Sequence, residues 1–256
     1  MLLSGQSSSH WTAPFDAPTR SPSCHRPSDH RRQRYLLWPR LNGHVTATSI
    51  LLLRHGQSTW NADGRWQGWG DPPLSDEGAS EAVAAAGWLG DTWPELSAVV
   101  SSDLCRARQT AGSVAEGLGL RPVEVDAGVR ERDIGLWTGL TREQIEAAWP
   151  GQLVAFEAGR LERPPRGEST PELVARATAS LERLRRQWAG RQLLVVCHGG
   201  VVRAVEQFLG APPLPLSNLC GRWVEHQGDG DRGEDQVSWE LGPRVLVPQL
   251  RRPPVC

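Results

Sequence analysis

Two uninterrupted aliphatic runs, Ile50-Leu51-Leu52-Leu53 and Leu193-Leu194-Val195-Val196, have the length and continuity of strands buried on both faces. Shorter runs share that character, so strands are predicted at 49–54, 98–101, 122–125 and 192–197. Between them the apolar spacing changes from two to three and four. Ser75, followed by Asp76 and Glu77, caps one helix with an acidic first turn. Leu104, Ala107, Ala111, Val114 and Leu118 form the inner stripe of a second, which stops at Gly119. Thr141 to Gln144 has capping-box spacing for a short helix ended by Pro150. Thr170-Pro171 opens a long helix with Leu173, Ala177, Leu181, Leu184 and Trp188 at core spacing and arginines outside. A last one runs from Gly200 to Phe208. Strand and helix signals in alternation predict an α/β fold, a three-layer αβα sandwich around a mostly parallel central sheet.

The pattern fades toward both ends. Residues 1–47 are rich in Ser, Pro, Arg and His without hydrophobic periodicity, and are expected to be a disordered extension with no secretory signal in it. One folded domain is expected over 48–227, and a tail over 228–256 in which Val237 to Leu241 has the pattern of one edge strand. At 256 residues with a formal net charge of -1, the chain has room for one good core and carries no polyanion-binding signature, so no nucleic-acid partner is expected. No run of about 18 apolar residues offers a membrane span. Five cysteines, widely spaced and without a Cys-x-x-Cys pair, fit a reducing, cytoplasmic setting, and Cys197 among strand aliphatics reads as a small buried filler. All 28 basic residues are arginine, which lowers the weight of any arginine taken alone.

The chemistry begins where the strands end. Arg54-His55-Gly56 closes the first aliphatic run and Cys197-His198-Gly199 closes the second, so parallel pairing of those strands would bring both imidazoles to one carboxyl edge, where open α/β sheets hold their ligands. Around them stand Leu53-Arg54-His55-Gly56-Gln57-Ser58-Thr59-Trp60-Asn61, then Gln67-Gly68-Trp69, Asp71 and Leu74-Ser75. Ser101-Ser102-Asp103-Leu104-Cys105-Arg106-Ala107, Glu131 with Gly135, Trp137-Thr138-Gly139-Leu140 and Gly167-Glu168-Ser169 follow. In this order, from about residue 49 to 210, the chain resembles the histidine phosphatase superfamily, in its phosphoglycerate-mutase-like branch.

That resemblance implies a phosphomonoesterase acting on a small phosphorylated metabolite, without metal or other cofactor. His55 would be the nucleophile that takes the phosphoryl group, and Arg54 and Arg106 the guanidinium forks that match its oxygens. His198 would stabilise the transition state, and Glu131 would give and retrieve the proton, with Asp133 the next candidate. Asn61, Gln67, Gly68 and Gly199 match positions that touch the phosphoryl group. Arg106 also has an argument of its own: it falls in the first turn of a helix expected to begin near Ser102 or Asp103, where a cation is disfavoured by about 0.3–1 kcal/mol unless an anion is bound there. Trp60, Trp66, Trp69 and Trp137 are expected in loops at the rim of the site, where some would stack on a sugar or base and about half would simply pack.

Three other readings compete. Two histidines and a carboxylate are also a metal-ligand set, but two guanidiniums beside them would repel a divalent cation. A phosphomutase would use the same phosphohistidine. Relatives of that type resemble this chain less between Glu131 and His198, where they carry a longer insertion with basic residues, and here only Arg142, Arg160, Arg163 and Arg166 are available. A phospholigand-binding protein without activity would not need every catalytic position filled.

Overall fold

The computed structural model describes residues 47–212, 214–226 and 239–248. Six strands, β1 (Thr48–Arg54), β2 (Leu96–Ser101), β3 (Glu124–Val125), β4 (Gln192–Cys197), β5 (Cys220–His226) and β6 (Trp239–Leu246), form one sheet in the order β3-β2-β4-β1-β5-β6. The pairs β3/β2, β2/β4 and β4/β1 are parallel, as buried aliphatic strands require, whereas β5 and β6 add antiparallel at one edge. Helices follow as α1 (Thr59–Ala62), α2 (Asp76–Thr92), α3 (Cys105–Leu118), α4 (Arg142–Ala148), α5 (Gln152–Glu157), α6 (Thr170–Gln187) and α7 (Gly199–Phe208).

Alternation along β1 decides the layers. Ile50 and Leu52 face a core with Leu173, Ala177, Leu181 and Leu184 of α6 and Val201, Val202 and Val205 of α7. Leu51 and Leu53 face the opposite core, with Ala85 and Leu89 of α2 and Ala107, Ala111 and Val114 of α3. The three-layer αβα sandwich with a mostly parallel sheet is therefore present. A third, smaller cluster of Ile134, Trp137, Ile145 and Leu153, with Trp66 and Phe156 against it, ties α4 and α5 into a cover beside the main sandwich.

The expected capping box is found at Thr141, which opens α4, and Ser169 opens α6 with a second, each bonded reciprocally with the residue three positions on. Differences lie in the less regular segments. The strand expected over 122–125 is reduced to two residues, and α3 starts at Cys105 with Leu104 as its cap, later than Ser102 or Asp103. Trp188 ends α6 as its C-cap. Strand β5 has no counterpart among the expected elements, because Arg222, Glu225 and His226 interrupt its apolar pattern, yet Glu225 is buried between β1 and β6. Of the edge strand expected over Val237 to Leu241, the described residues Trp239 to Leu241 fall in β6, which runs on through Gly242-Pro243, where the ladder shifts register and a missing N–H costs little. Residues 1–46, 227–238 and Val237 among them lie outside the described residues, and the expected extension with them.

Candidate active site

Parallel register builds the site. Arg54 pairs with Cys197, the amide of His55 donates to the Cys197 carbonyl at 3.0 Å, and the amide of Ser102 donates to the Val196 carbonyl at 2.9 Å. The residues after β2, β4 and β1 therefore leave the sheet side by side. The rings of His55 and His198 meet at 5.1 Å between centroids, inclined by 62°. Both are buried, as is Arg106.

Hydrogen bonds fix the protons on His55. Its Nδ1 lies 2.6 Å from the Gly56 carbonyl, which can only accept, so Nδ1 carries the hydrogen. The lone pair is thereby left on Nε2, and Arg106 Nε donates to it at 3.1 Å. Arg106 is itself held by the carbonyls of Gly70 at 2.8 Å and Gly68 at 3.0 Å. Gly68 adopts φ +48°, and a Cβ there would sit 2.4 Å from Ile134 Cγ1, so glycine is required for that carbonyl to reach Arg106. Burial, then the charges of Arg106 and Arg54, hold the His55 pKa well below its usual value. Desolvation is the larger cause, ahead of charge repulsion from the two guanidiniums. Burial also lowers Arg106, to about 10, and lowers Arg54, whose guanidinium donates to the Leu216 carbonyl.

His198 is arranged the opposite way round. Ser102 Oγ accepts the Leu104 amide at 3.3 Å and lies 2.8 Å from His198 Nε2, to which its hydroxyl can donate. In that arrangement the hydrogen of His198 lies on Nδ1, a buried atom that has no partner. Burial, with Arg106 and His55 next, keeps this ring neutral as well. An unpaired buried donor costs about 1–3 kcal/mol, which an anion accepting from it would recover.

Glu131 enters from the irregular segment after β3. Its Oε1 accepts the Arg132 amide at 2.8 Å and its Oε2 accepts the Gly200 amide at 3.2 Å, in the first turn of α7. A Cβ on Gly200 would lie 2.0 Å from Glu131 Oε1, so the second glycine of His198-Gly199-Gly200 admits the carboxylate. Arg54, His55, Asn61, Gln67, Gly68, Arg106, Glu131 and Gly199 all line one open cavity of about 1130 Å³. Asn61 and Gln67 are fixed through Ser58: its backbone N–H donates to Asn61 Oδ1 at 3.1 Å and its hydroxyl to Gln67 Oε1 at 2.8 Å.

Several expectations are corrected by this arrangement. Asp133 is turned away from the cavity, its Oδ1 accepting the Gly135 amide at 2.8 Å to close a turn. Of the four tryptophans only Trp66 lines the cavity. Trp137 is buried in the small core, Trp60 packs over Gly70 and Gly139, and Trp69 donates to the Glu131 carbonyl at 2.7 Å beneath the Arg130 guanidinium. Among Arg142, Arg160, Arg163 and Arg166, only Arg160 reaches the cavity, since Arg142 pairs with Glu157 and Arg163 with Glu172. Sequence reasoning missed Asn218, whose amide donates to the carbonyls of His55 at 3.0 Å and Gly56 at 3.1 Å, and Arg203 on the cavity wall. Helical spacing could have found Arg203, five residues past His198 on the helix that leaves the site; Asn218 follows a proline-rich loop and carries no such signal.

Comparison with known proteins gives concordant results. The model of the histidine phosphatase superfamily (branch 1) matches residues 50–232. The chain is 38% identical over 207 residues to the glucosyl-3-phosphoglycerate phosphatase of Mycobacterium tuberculosis (strain CDC 1551 / Oshkosh), which covers 78% of this chain and 89% of the relative. It is 35% identical over 167 residues, 62% of this chain and 78% of the relative, to a 2,3-bisphosphoglycerate-dependent phosphoglycerate mutase of Methylobacterium radiotolerans. A solved mycobacterial glucosyl-3-phosphoglycerate phosphatase complexed with VO3 is similar with a TM-score of 0.64 at 34% identity, over 75% of this chain and 96% of that one.

Proposed function

The chain belongs to the histidine phosphatase superfamily, branch 1, and on that premise we propose that it is a phosphoric monoester hydrolase in which His55 carries the phosphoryl group and Glu131 moves the proton. The observation that carries the reading is the lone pair on His55 Nε2, left there by the Gly56 carbonyl behind the ring, accepting from Arg106 and faced by His198. An entering phosphoryl group replaces Nε2 as the acceptor for Arg106, and the Arg54 fork and the unpaired Nδ1 of His198 complete its binding. Nε2 then attacks phosphorus, the bond to the ester oxygen breaks, and Glu131 supplies the proton that the departing alkoxide takes up. In the second half, Glu131 removes a proton from water, whose oxygen displaces the phosphoryl group from nitrogen. His55 is restored and inorganic phosphate leaves. The charge that builds on the equatorial oxygens is met by groups already in place, which is where most of the rate enhancement arises.

The substrate reading is narrower. Beyond the phosphoryl subsite the cavity presents Arg132, Arg160 and Arg203 together with the rings of Trp66 and Phe156. Such a wall suits a monoester that bears a second acidic group and a ring or sugar face. Glucosyl-3-phosphoglycerate, named for the mycobacterial relative, has both. A metal is not required by this mechanism, and the free thiols Cys105, Cys197 and Cys220 accord with a cytoplasmic setting. Among the described residues no helix is long and apolar enough to cross a membrane.

Purified protein given a panel of phosphorylated metabolites should release inorganic phosphate, with a phosphorylated acid ranking first and with chelators leaving the rate unchanged. His55→Ala should abolish turnover and the acid-labile phosphoenzyme; wild-type turnover in that variant refutes the mechanism. A mutase makes the same intermediate but returns the group to a second hydroxyl. Predominant transfer to 3-phosphoglycerate, when a bisphosphate primer is present, would replace hydrolysis by that activity.

A further inference from the structure

Unlike His55 and His198, which directly follow β1 and β4, Glu131 is adjacent to no strand or α-helix. The segment around it, from Gly128 to Asp133, follows a single 3-10 turn and leads into another. Its position is nonetheless tightly specified, and the agent lies on α6. Arg176 spends all five guanidinium hydrogens on this region. Nη1 donates to the carbonyls of Gly128 at 3.0 Å and Arg130 at 2.6 Å, and Nη2 to the carbonyl of Glu131 itself at 2.7 Å. The remaining two go to Glu168, Nε to Oε1 at 2.6 Å and Nη2 to Oε2 at 2.8 Å. Glu168 in turn accepts the Asp133 amide at 3.3 Å and donates its own amide to the Asp133 carbonyl at 2.8 Å. The pair is mostly buried, with Arg176 22% and Glu168 11% exposed.

We propose that Arg176 and Glu168 are positioning residues for the proton donor: a fixed ion pair that clasps the backbone from Gly128 to Asp133 and so sets the reach of the Glu131 carboxylate. A flexible peptide could not hold a carboxyl group to the tolerance proton transfer needs, and a displacement of about 1 Å at a reacting group can cost around 100-fold in rate. Only a planar fork meets these three carbonyls and a carboxylate at once. A lysine keeps the charge but presents its donors from a single point, so it cannot span the same partners. The Glu131 carbonyl accepts from Trp69 Nε1 as well, and Trp69 is held under Arg130, whose partner is Asp103. Backbone is thus gripped from two sides while the carboxylate end rests on the amides of Arg132 and Gly200.

This inference rests on Glu131 being the proton donor, and the experiment separates the two. Arg176→Lys in the full chain should lower kcat/KM for an alkyl phosphate, whose alkoxide needs a proton, by about 10- to 100-fold. For 4-nitrophenyl phosphate, whose leaving group needs none, the loss should stay within about threefold, with the affinity for inorganic phosphate unchanged. Glu168→Gln should show the same split in weaker form, and supplies the comparison should Arg176→Lys fail to fold. Equal losses on both esters, or no loss on the alkyl ester, overturn the clamp. Glu131→Gln serves as reference. Absence of the split in that variant removes Glu131 from its role, whereas a split there without one in Arg176→Lys or Glu168→Gln removes the clamp alone.

Discussion

His55 and His198 are chemically identical side chains given opposite tautomers by their neighbours. A carbonyl behind His55 leaves a lone pair facing the cavity, and a hydroxyl behind His198 leaves a hydrogen bound to a buried, unpartnered nitrogen. Ser102→Ala deletes that hydroxyl and frees His198 to carry its hydrogen on either nitrogen. We expect kcat to fall about tenfold with little change in thermal stability, in line with the loss of one oriented hydrogen bond to a charged transition state. Wild-type kcat in Ser102→Ala would show that the hydroxyl is a packing group only. Neutrality of both rings has a consequence for stability. An unfolded histidine takes up a proton below about pH 6.5, whereas burial keeps both of these neutral to lower pH. The unfolded chain then binds more protons, so stability rises with pH and is lost as pH falls below about 6.5, by up to about 1.4 kcal/mol per histidine per pH unit. Thermal unfolding between pH 7.5 and 5.5 should show this slope, and His55→Asn combined with His198→Asn should flatten it. A slope that survives the double substitution belongs to other groups.

Among the elements, α7 does most for the site. It begins directly after His198, and the pair Gly199-Gly200 gives it an N-terminal turn without side chains on which the Glu131 carboxylate lies. Gly200→Ala places a methyl group where Glu131 Oε1 now sits. Glu131 can swing aside, so stability should change by less than about 1 kcal/mol, while turnover of alkyl phosphates should fall at least tenfold. Unaltered turnover in that variant would mean that the carboxylate works from a different place. The cap of α6 makes the contrasting case. Ser169 satisfies the amide of Glu172 and receives the Glu172 side chain in return. Ser169→Ala should cost about 1 kcal/mol in denaturant unfolding, and because Glu168 stands next to it the cap also steadies the clamp.

At the scale of the whole molecule, two bodies of unlike construction meet at the cavity. The sandwich supplies the phosphoryl subsite from strand ends, and the small core around Trp137 supplies the opposite wall through Trp66 and Phe156. Trp137 is fully buried there, so Trp137→Ala should destabilise by about 3–5 kcal/mol and raise KM for a bulky substrate more than for 4-nitrophenyl phosphate. Equal effects on both substrates would show that this wall is support and no part of recognition. All residues placed in the mechanism fall between Arg54 and His198, so removal of residues 1–46 should leave kcat and KM as they are.

Sequence alone determined what depends on short-range pattern. Aliphatic runs closing on His55 and His198 pointed to the parallel pair and the shared edge, because a strand buried on both faces favours a near-continuous aliphatic run. Apolar stripes and caps fixed the helices around them. Tertiary structure decided whatever needed a partner distant along the chain. The antiparallel β5 was illegible because polar residues interrupt its apolar pattern, Arg222 meeting its partner Glu206 on α7, and that Glu131 lines the cavity while Asp133 closes a turn came from where an irregular segment folds back against α7. Arg176 lies 45 residues from the Glu131 carbonyl it holds and looks, in sequence, like any outward arginine of an amphipathic helix. A guanidinium has no preference written in its spacing; only the carbonyls that converge on it reveal what it does.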